Sequence, residues 1–253
     1  FDTSRTRYHL RKLTMQDLFS KAFSLVDLGG YGHMILQGTW MTVKLSLLSL
    51  ILAMVIGVFT ALMKSSKNIP LNLLATCYTT LIRGIPDLVL MLLIFYGVQN
   101  WIGELTTALD WEFIYIDPFS AGVITLAFIY GAYFSETFRG ALQAVPEGQK
   151  EAALAYGLSK GQSFRYVVFP QMMRFSIPGL SNVWQVIIKA TALISIIGLN
   201  DLINAAVTAG KSSNKVFFFL IIAAGIFLVY SILSNMAFAL LKRYFQTGVK
   251  EAN

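Results

Sequence analysis

The sequence predicts an all-α membrane protein with five transmembrane helices and a polar helix pair between the third and the fourth. Three observations carry that reading. Of 253 residues, 56% are apolar and 13% charged, against roughly 45–50% and about 25% in an average soluble domain. A bilayer crossing takes about 20 predominantly apolar residues. The chain offers three charge-free runs of about that length, a fourth with a single lysine, and a fifth cut by "RGIPD". Between two of these runs lies "KEAALAYGLSKGQSF", which is polar and helix-prone.

Taken in order, residues 1–30 form a tail distinct from a transmembrane domain at 31–253. In the tail, Met15, Leu18, Phe19, Ala22, Phe23 and Val26 recur at helical spacing. That pattern fits a short helix lying on the membrane surface, and the alternative is a basic tail. Leu45–Met63 is the first crossing. The next apolar segment runs from Ile69 to Gln99 but is broken at Pro86, which has no backbone N–H and disfavours helix at Ile85. Leu88–Gln99 is therefore the crossing core, and Asn72–Ile82 its approach or the first half of a broken helix. Pro118–Ser135 is the third crossing, with Ala127, Gly131 and Ser135 four apart for close helix packing. Ser176–Leu199 and Val216–Leu241 complete the set, joined by the loop Asn200–Lys215, which falls outside.

The polar stretch reads as two short helices. Pro146 and Glu147 suit a first turn, and Gly157 after Tyr156 suits a stop. Ser159 with Gln162 three residues on has capping-box spacing, and Pro170 ends the second helix. Physics alone leaves two readings: a docking element for another protein, or an interfacial pair that closes off the bundle.

Charge sets the expected orientation. Trp101–Asp117 carries no Lys or Arg and four acidic residues, so it lies outside. Thr137–Phe175 carries Arg139, Lys150, Lys160, Arg165 and Arg174, so it lies inside, with the C-terminus. Five crossings then put the N-terminus outside despite Arg5, Arg7, Arg11, Lys12 and Lys21. The net charge of +7 thus reads as cytoplasmic loops and membrane lipid, with no nucleic acid as partner.

Chemistry is sparse. Cys77 stands alone, and His9 and His33 have no metal-ligand spacing. Gly210-Lys211-Ser212 resembles the end of a P-loop, but Ala205 stands where the first glycine is required and no strand precedes it. No nucleophile, acid pair or metal motif is present, so the chain is expected not to be an enzyme and to hold no cofactor or metal. Ionisable groups at membrane depth are expensive and point to function. Asp87 follows the helix break at Pro86, where it is either a selectivity residue for a cation or a local partner of Arg83. Lys189 is either a partner of Glu136 or Asp87, or a contact for a substrate carboxylate. Glu136 and Arg139 are spaced for a local pair.

"EAALAYG", nine further residues and "VVFP" resemble the EAA loop of bacterial ABC importer permeases, with Glu151, Ala152, Ala153, Gly157 and Pro170 matching and Val167 and Phe169 replacing the usual Ile and Leu. "LIRGIPDLVLMLLIFYG", "YGAYFSETFRGALQAVPEGQ" and "NVWQVIIKATALISIIGLNDL" are similar to the polar amino acid group of that family. The likeness covers about Gly32 to Lys250 and is strongest to the Q-type subunits of importers for histidine, lysine, arginine and ornithine. It implies an ATP-driven importer permease for basic amino acids in the bacterial inner membrane. Glu151, Ala152, Ala153 and Gly157 would dock an ATPase subunit, and Asp87, Asn182 and Gln185 would bind substrate. Arg83, Lys189 and Glu136 would be intramembrane charges or gating groups. The implied partners are two ATP-binding cassette subunits carrying ATP and Mg, a second permease subunit (a paralogue or a second copy) and an external substrate-binding protein. One departure is Val183 after Asn182, where several members have Glu; if that acid anchors the substrate, this chain lacks it and a sister permease subunit carries most of the site. An ion-coupled secondary amino acid transporter using Asp87 and Lys189 is the alternative, against which stands the lack of paired halves with matching broken helices.

Overall fold

The computed structural model describes residues 28–112 and 116–246. The segment at Met15–Val26 and the rest of the basic tail lie outside the described residues. Nine α-helices and no strand occur among the described residues: α1 (Gly32–Lys64), α2 (Ile69–Gly84), α3 (Asp87–Ala108), α4 (Pro118–Gln143), α5 (Glu147–Ala155), α6 (Lys160–Ser163), α7 (Phe169–Ile194), α8 (Leu202–Ser213) and α9 (Val216–Gln246). Five stretches are long and apolar enough to cross a membrane: α1, α3, α4, Lys160–Ile197 with α7 inside it, and α9. The chain is an all-α membrane protein with five transmembrane helices.

Three boundaries differ from expectation. The first helix begins at Gly32, not near Leu45. Lys44 interrupts the charge-free run without interrupting the helix, because lysine is a good helix former; its ammonium lies 5.9 Å from the Trp40 ring. At about 1.5 Å per residue, the 33 residues of α1 outreach a hydrocarbon core of about 30 Å. Pro170 does not end the second short helix. A π-turn over Phe164–Val168 widens the spiral just before it, and Pro170 sits in the first turn of α7, where a missing N–H is tolerated. The segment Asn200–Lys215, expected as a loop, contains α8. Asp201 caps it, its Oδ1 accepting from Asn204 N at 2.9 Å, and Asn214 ends it in the left-handed region at φ 55°.

The core forms where α1 crosses α4. Gly57 lets the backbones meet: a Cβ there would stand 2.6 Å from Phe134 Cβ. Gly131 does the same for Ile56, so the small-residue stripe Ala127–Gly131–Ser135 packs as expected and is buried along its length. Leu45, Leu126, Ile129, Phe134, Ile187 and Ile194 fill the space between α1, α4 and α7. The α2–α3 pair packs on one flank of α4, while α8 and α9 form a second apolar cluster with Ile35 at the start of α1.

α8 is fastened to α1 by polar contacts. Thr42 Oγ1 accepts from Leu202 N at 3.1 Å, and Gly38 leaves room for the Asp201 carbonyl. This seals Asp201 at 0% exposure, and its Oδ2 has no hydrogen-bond partner among the described residues. Burial pushes the Asp201 carboxyl above the usual carboxylate range, against the opposing effect of its hydrogen bonds. A raised value means that the folded chain binds the proton more tightly than the unfolded one. Stability should therefore fall as pH rises from the ordinary carboxylate range through the raised value. Asp201→Asn keeps the cap and removes the charge. Thermal unfolding of the purified variant against pH should lose that slope, match the parent within about 1 kcal/mol at acid pH, and exceed it at neutral pH.

Candidate functional site

The break between α2 and α3 organises a polar cluster. Ile85 and Pro86 are extended, at φ −110°, ψ 141° and φ −57°, ψ 134°. The first-turn amides of α3 therefore have no preceding helix to accept them. Asp87 is the first residue of α3, where the positive end of the helix dipole favours its charge. From α4, Tyr130 Oη donates to Asp87 Oδ2 at 2.8 Å, and the Tyr130 side chain is only 1% exposed. Tyr133 lies one turn further along α4, its ring 5.6 Å from that of Tyr130. The Arg83 guanidinium stands 5.6 Å from the Tyr133 ring. Arg83 and Asp87 form no ion pair with each other; each is engaged by a tyrosine instead.

A second cluster centres on Glu136. Its local pair with Arg139 is present at 2.9 Å, and Lys64 from the end of α1 joins it. Lys64 Nζ also donates to Thr79 Oγ1 of α2 at 2.9 Å, so three helices are tied at one point. Lys189 takes neither partner considered from the sequence: it is exposed and makes no ion pair among the described residues. Asn182 shares its face of α7, with Val186 between them, all exposed and three to four residues apart. Gln185 points elsewhere, donating through Nε2 to the Ser231 carbonyl of α9 at 3.4 Å. Asp87, Asn182 and Gln185 are thus not gathered into one contact set. Tyr130, Tyr133 and Lys64 were not singled out from sequence, and no spacing rule links positions 43 residues apart.

The helix pair is built as its residues dictate. Leu158 N donates to Ala153 O at 3.1 Å and Gly157 N to Leu154 O at 2.9 Å, closing α5 with Gly157 at φ 84°. The Ser159–Gln162 capping box opens α6 in both directions, at 3.3 and 2.9 Å. Ala153 is buried against the fold, whereas Glu151, Ala152 and Gly157 are exposed and Tyr156 is 90% exposed. Among the described residues no group of three or more His, Cys, Asp or Glu is arranged to hold a metal ion.

Residues 53–246 match the family model described as binding-protein-dependent transport system inner membrane component. The chain belongs to this family. It is 51% identical to the histidine/lysine/arginine/ornithine transport system permease protein HisQ of Salmonella typhimurium, over 88% of this chain and 98% of that one. It is 36% identical to the nopaline transport system permease protein NocQ of Agrobacterium fabrum, over 87% and 94% of the two chains. Among solved structures it resembles that of an amino acid ABC transporter with histidines, with a TM-score of 0.74, 33% identity, and coverage of 87% of this chain and 97% of that one. As a binding-protein-dependent inner-membrane component the chain is a multi-pass permease, and the EAA motif at Glu151–Gly157 fits that family. An ion-coupled secondary transporter has no support from these relatives.

Gly157 is the position in the helix pair where a side chain is least tolerated, because its φ lies in the left-handed region. A β-branched residue there should loosen the turn at a cost of roughly 1–2 kcal/mol. Gly157→Val should be cleaved faster than the parent within residues 155–162 in limited proteolysis, with total helix content by circular dichroism unchanged.

Proposed function

We propose that the chain is the transmembrane permease subunit of an ATP-driven importer for basic amino acids, histidine, lysine, arginine and ornithine. The observation that carries this is the likeness to a permease named for those four substrates over nearly its whole length. The site is consistent with it. Asp87 presents a carboxylate at a broken membrane helix, where a cationic side chain exchanges its hydration for a fixed acid. Asn182 on α7 supplies a second polar contact, and Gln185 acts indirectly by holding α7 to α9.

The chain itself hydrolyses no ATP. Two ATP-binding cassette subunits hold ATP and Mg and dock on α5 and α6, where Glu151, Ala152 and Gly157 are exposed and Ala153 braces the pair. A second permease subunit covers the face of α7 that carries Asn182 and Lys189. A lysine at membrane depth costs about 2.5–3.5 kcal/mol against lipid. Because Cβ atoms point toward a helix's N-terminus, Lys189 is aimed back along α7, away from the nearer helix end. Protein or a water-filled path therefore meets this face. Arg83, Glu136 and Lys189 act as the intramembrane charges of that path. A substrate-binding protein delivers from outside, where the acidic segment 101–117 lies, and the N-terminus is outside with the C-terminus in the cytoplasm.

Two experiments test the reading. In a Cys77→Ser background, Glu112→Cys should react with an impermeant thiol reagent added to intact cells, and Gln149→Cys should be protected; the reverse labelling overturns the orientation. Asp87→Asn keeps shape and removes charge. A charge-assisted hydrogen bond contributes about 1.5–3 kcal/mol, so uptake of arginine and lysine by the reconstituted importer should weaken roughly tenfold or more, with membrane abundance maintained. Unchanged transport constants would place the cation site outside this chain.

A further inference from the structure

A cleft of about 370 Å³ opens between α1, α2 and α4, lined by Lys64, Thr79, Thr80, Arg83, Gly84 and Glu136. Its charges are unevenly committed. Glu136 is shared by Lys64 and Arg139, and Lys64 also donates to Thr79. Arg83 makes no ion pair among the described residues. Its guanidinium rests over Tyr133, and the residue remains exposed at the cleft. The rim is open at Gly84, where a Cβ would meet nothing within 4 Å, and Thr80 also lines the cleft. A guanidinium presents five N–H donors in a planar fork that matches a carboxylate in two parallel hydrogen bonds.

We propose that this cleft is the carboxylate end of the substrate site, with Arg83 holding the α-carboxylate of the amino acid whose cationic side chain is held by Asp87. The proposal rests on the basic amino acid reading above and deepens it. Arg83 and Asp87 are four residues apart across the helix break, a span of at most about 14 Å between Cα atoms. Their two side chains and an extended arginine bridge that span. A guanidinium with no ion pair among the described residues and an acid at the same helix break are complementary to a zwitterion with a cationic tail. A phosphate or anionic lipid headgroup matches it poorly, because neither carries a cationic group for Asp87 to pair with. Tyr133 holds Arg83 by its ring, and Tyr130 holds Asp87 by its hydroxyl, so α4 fixes both ends of the clamp.

The test is equilibrium binding of radiolabelled arginine to the purified permease–ATPase complex in nanodiscs, without the binding protein, with displacement by arginine, argininamide and agmatine. The last two lack the carboxylate and keep the guanidinium. The parent complex should bind both at least about tenfold more weakly than arginine. Arg83→Gln should reduce arginine to the level of agmatine and leave agmatine unchanged, while Arg83→Lys should retain part of the difference. Asp87→Asn should weaken arginine and agmatine alike. The ligand series on the parent needs no variant to fold. Equal binding of arginine and agmatine by the parent overturns the proposal. So does a loss in Arg83→Gln that is equal for both ligands, a loss confined to nanodiscs of anionic lipid, or no arginine binding by the parent. If Asp87→Asn alters neither ligand while Arg83→Gln acts on arginine alone, the carboxylate site stands and the basic-substrate role of Asp87 falls.

Discussion

Hydrocarbon offers a backbone amide no partner, so a chain that crosses a bilayer must satisfy its own hydrogen bonds or place the exceptions against protein or water. The long helices here take the first option, save for the donor missing at Pro178 inside α7, and the break at Ile85–Pro86 takes the second. Proline removes one donor, the extended Ile85 ends the α2 ladder, and the start of α3 is left with free donors at membrane depth. An aspartate at the first position of α3 answers that positive end, and Tyr130 from α4 answers the aspartate. The polar cluster therefore grows out of a backbone problem. The same acid that steadies the helix start is the acid available to a cation.

The α1–α4 crossing makes this placement rigid. Gly57 and Gly131 remove the side chains that would hold the two helices apart, so packing and not lipid exclusion joins them. α4 carries Tyr130 and Tyr133 toward the break and Glu136 toward Lys64 and Arg139. One helix thus presents a ladder of polar groups at successive turns, with its opposite side committed to the core. Gly179 on α7 admits the Thr137 side chain of α4, whose Cγ2 stands 2.6 Å from where a Cβ would be.

What the sequence disclosed follows from range. The number and order of the spans, the Pro86 break, the Gly157 stop and the Ser159 capping box are local signals, and each appears as the residues predicted. The start of α1 was hidden because Lys44 interrupts a charge-free run, although a cation over Trp40 does not interrupt a helix. α8 was legible in principle from Asp201, Asn204 and Asn214, but its short length and modest hydrophobicity resembled a loop. Pro170 was misjudged because a widened turn immediately before it supplies the space a regular spiral lacks. The tyrosines were not legible. Their pairing with Asp87 and Arg83 depends on how α4 packs beside the break, and nothing near positions 130 and 133 in the sequence announces it.

The helix pair connects these observations into a mechanical route. α5 follows α4 after a short turn through Val145, which is buried. α6 runs through the π-turn into α7 with no intervening loop. A force applied to α5 and α6 is therefore delivered to the inner ends of α4 and α7 together. α4 holds both tyrosines of the clamp, and α7 holds Asn182 and Lys189. The closed turn at Gly157 and the reciprocal hydrogen bonds of the capping box keep the pair from absorbing the force by bending. The one departure from α-geometry between α6 and α7 is the wide turn at Phe164–Val168, where an i→i+5 spiral joins them.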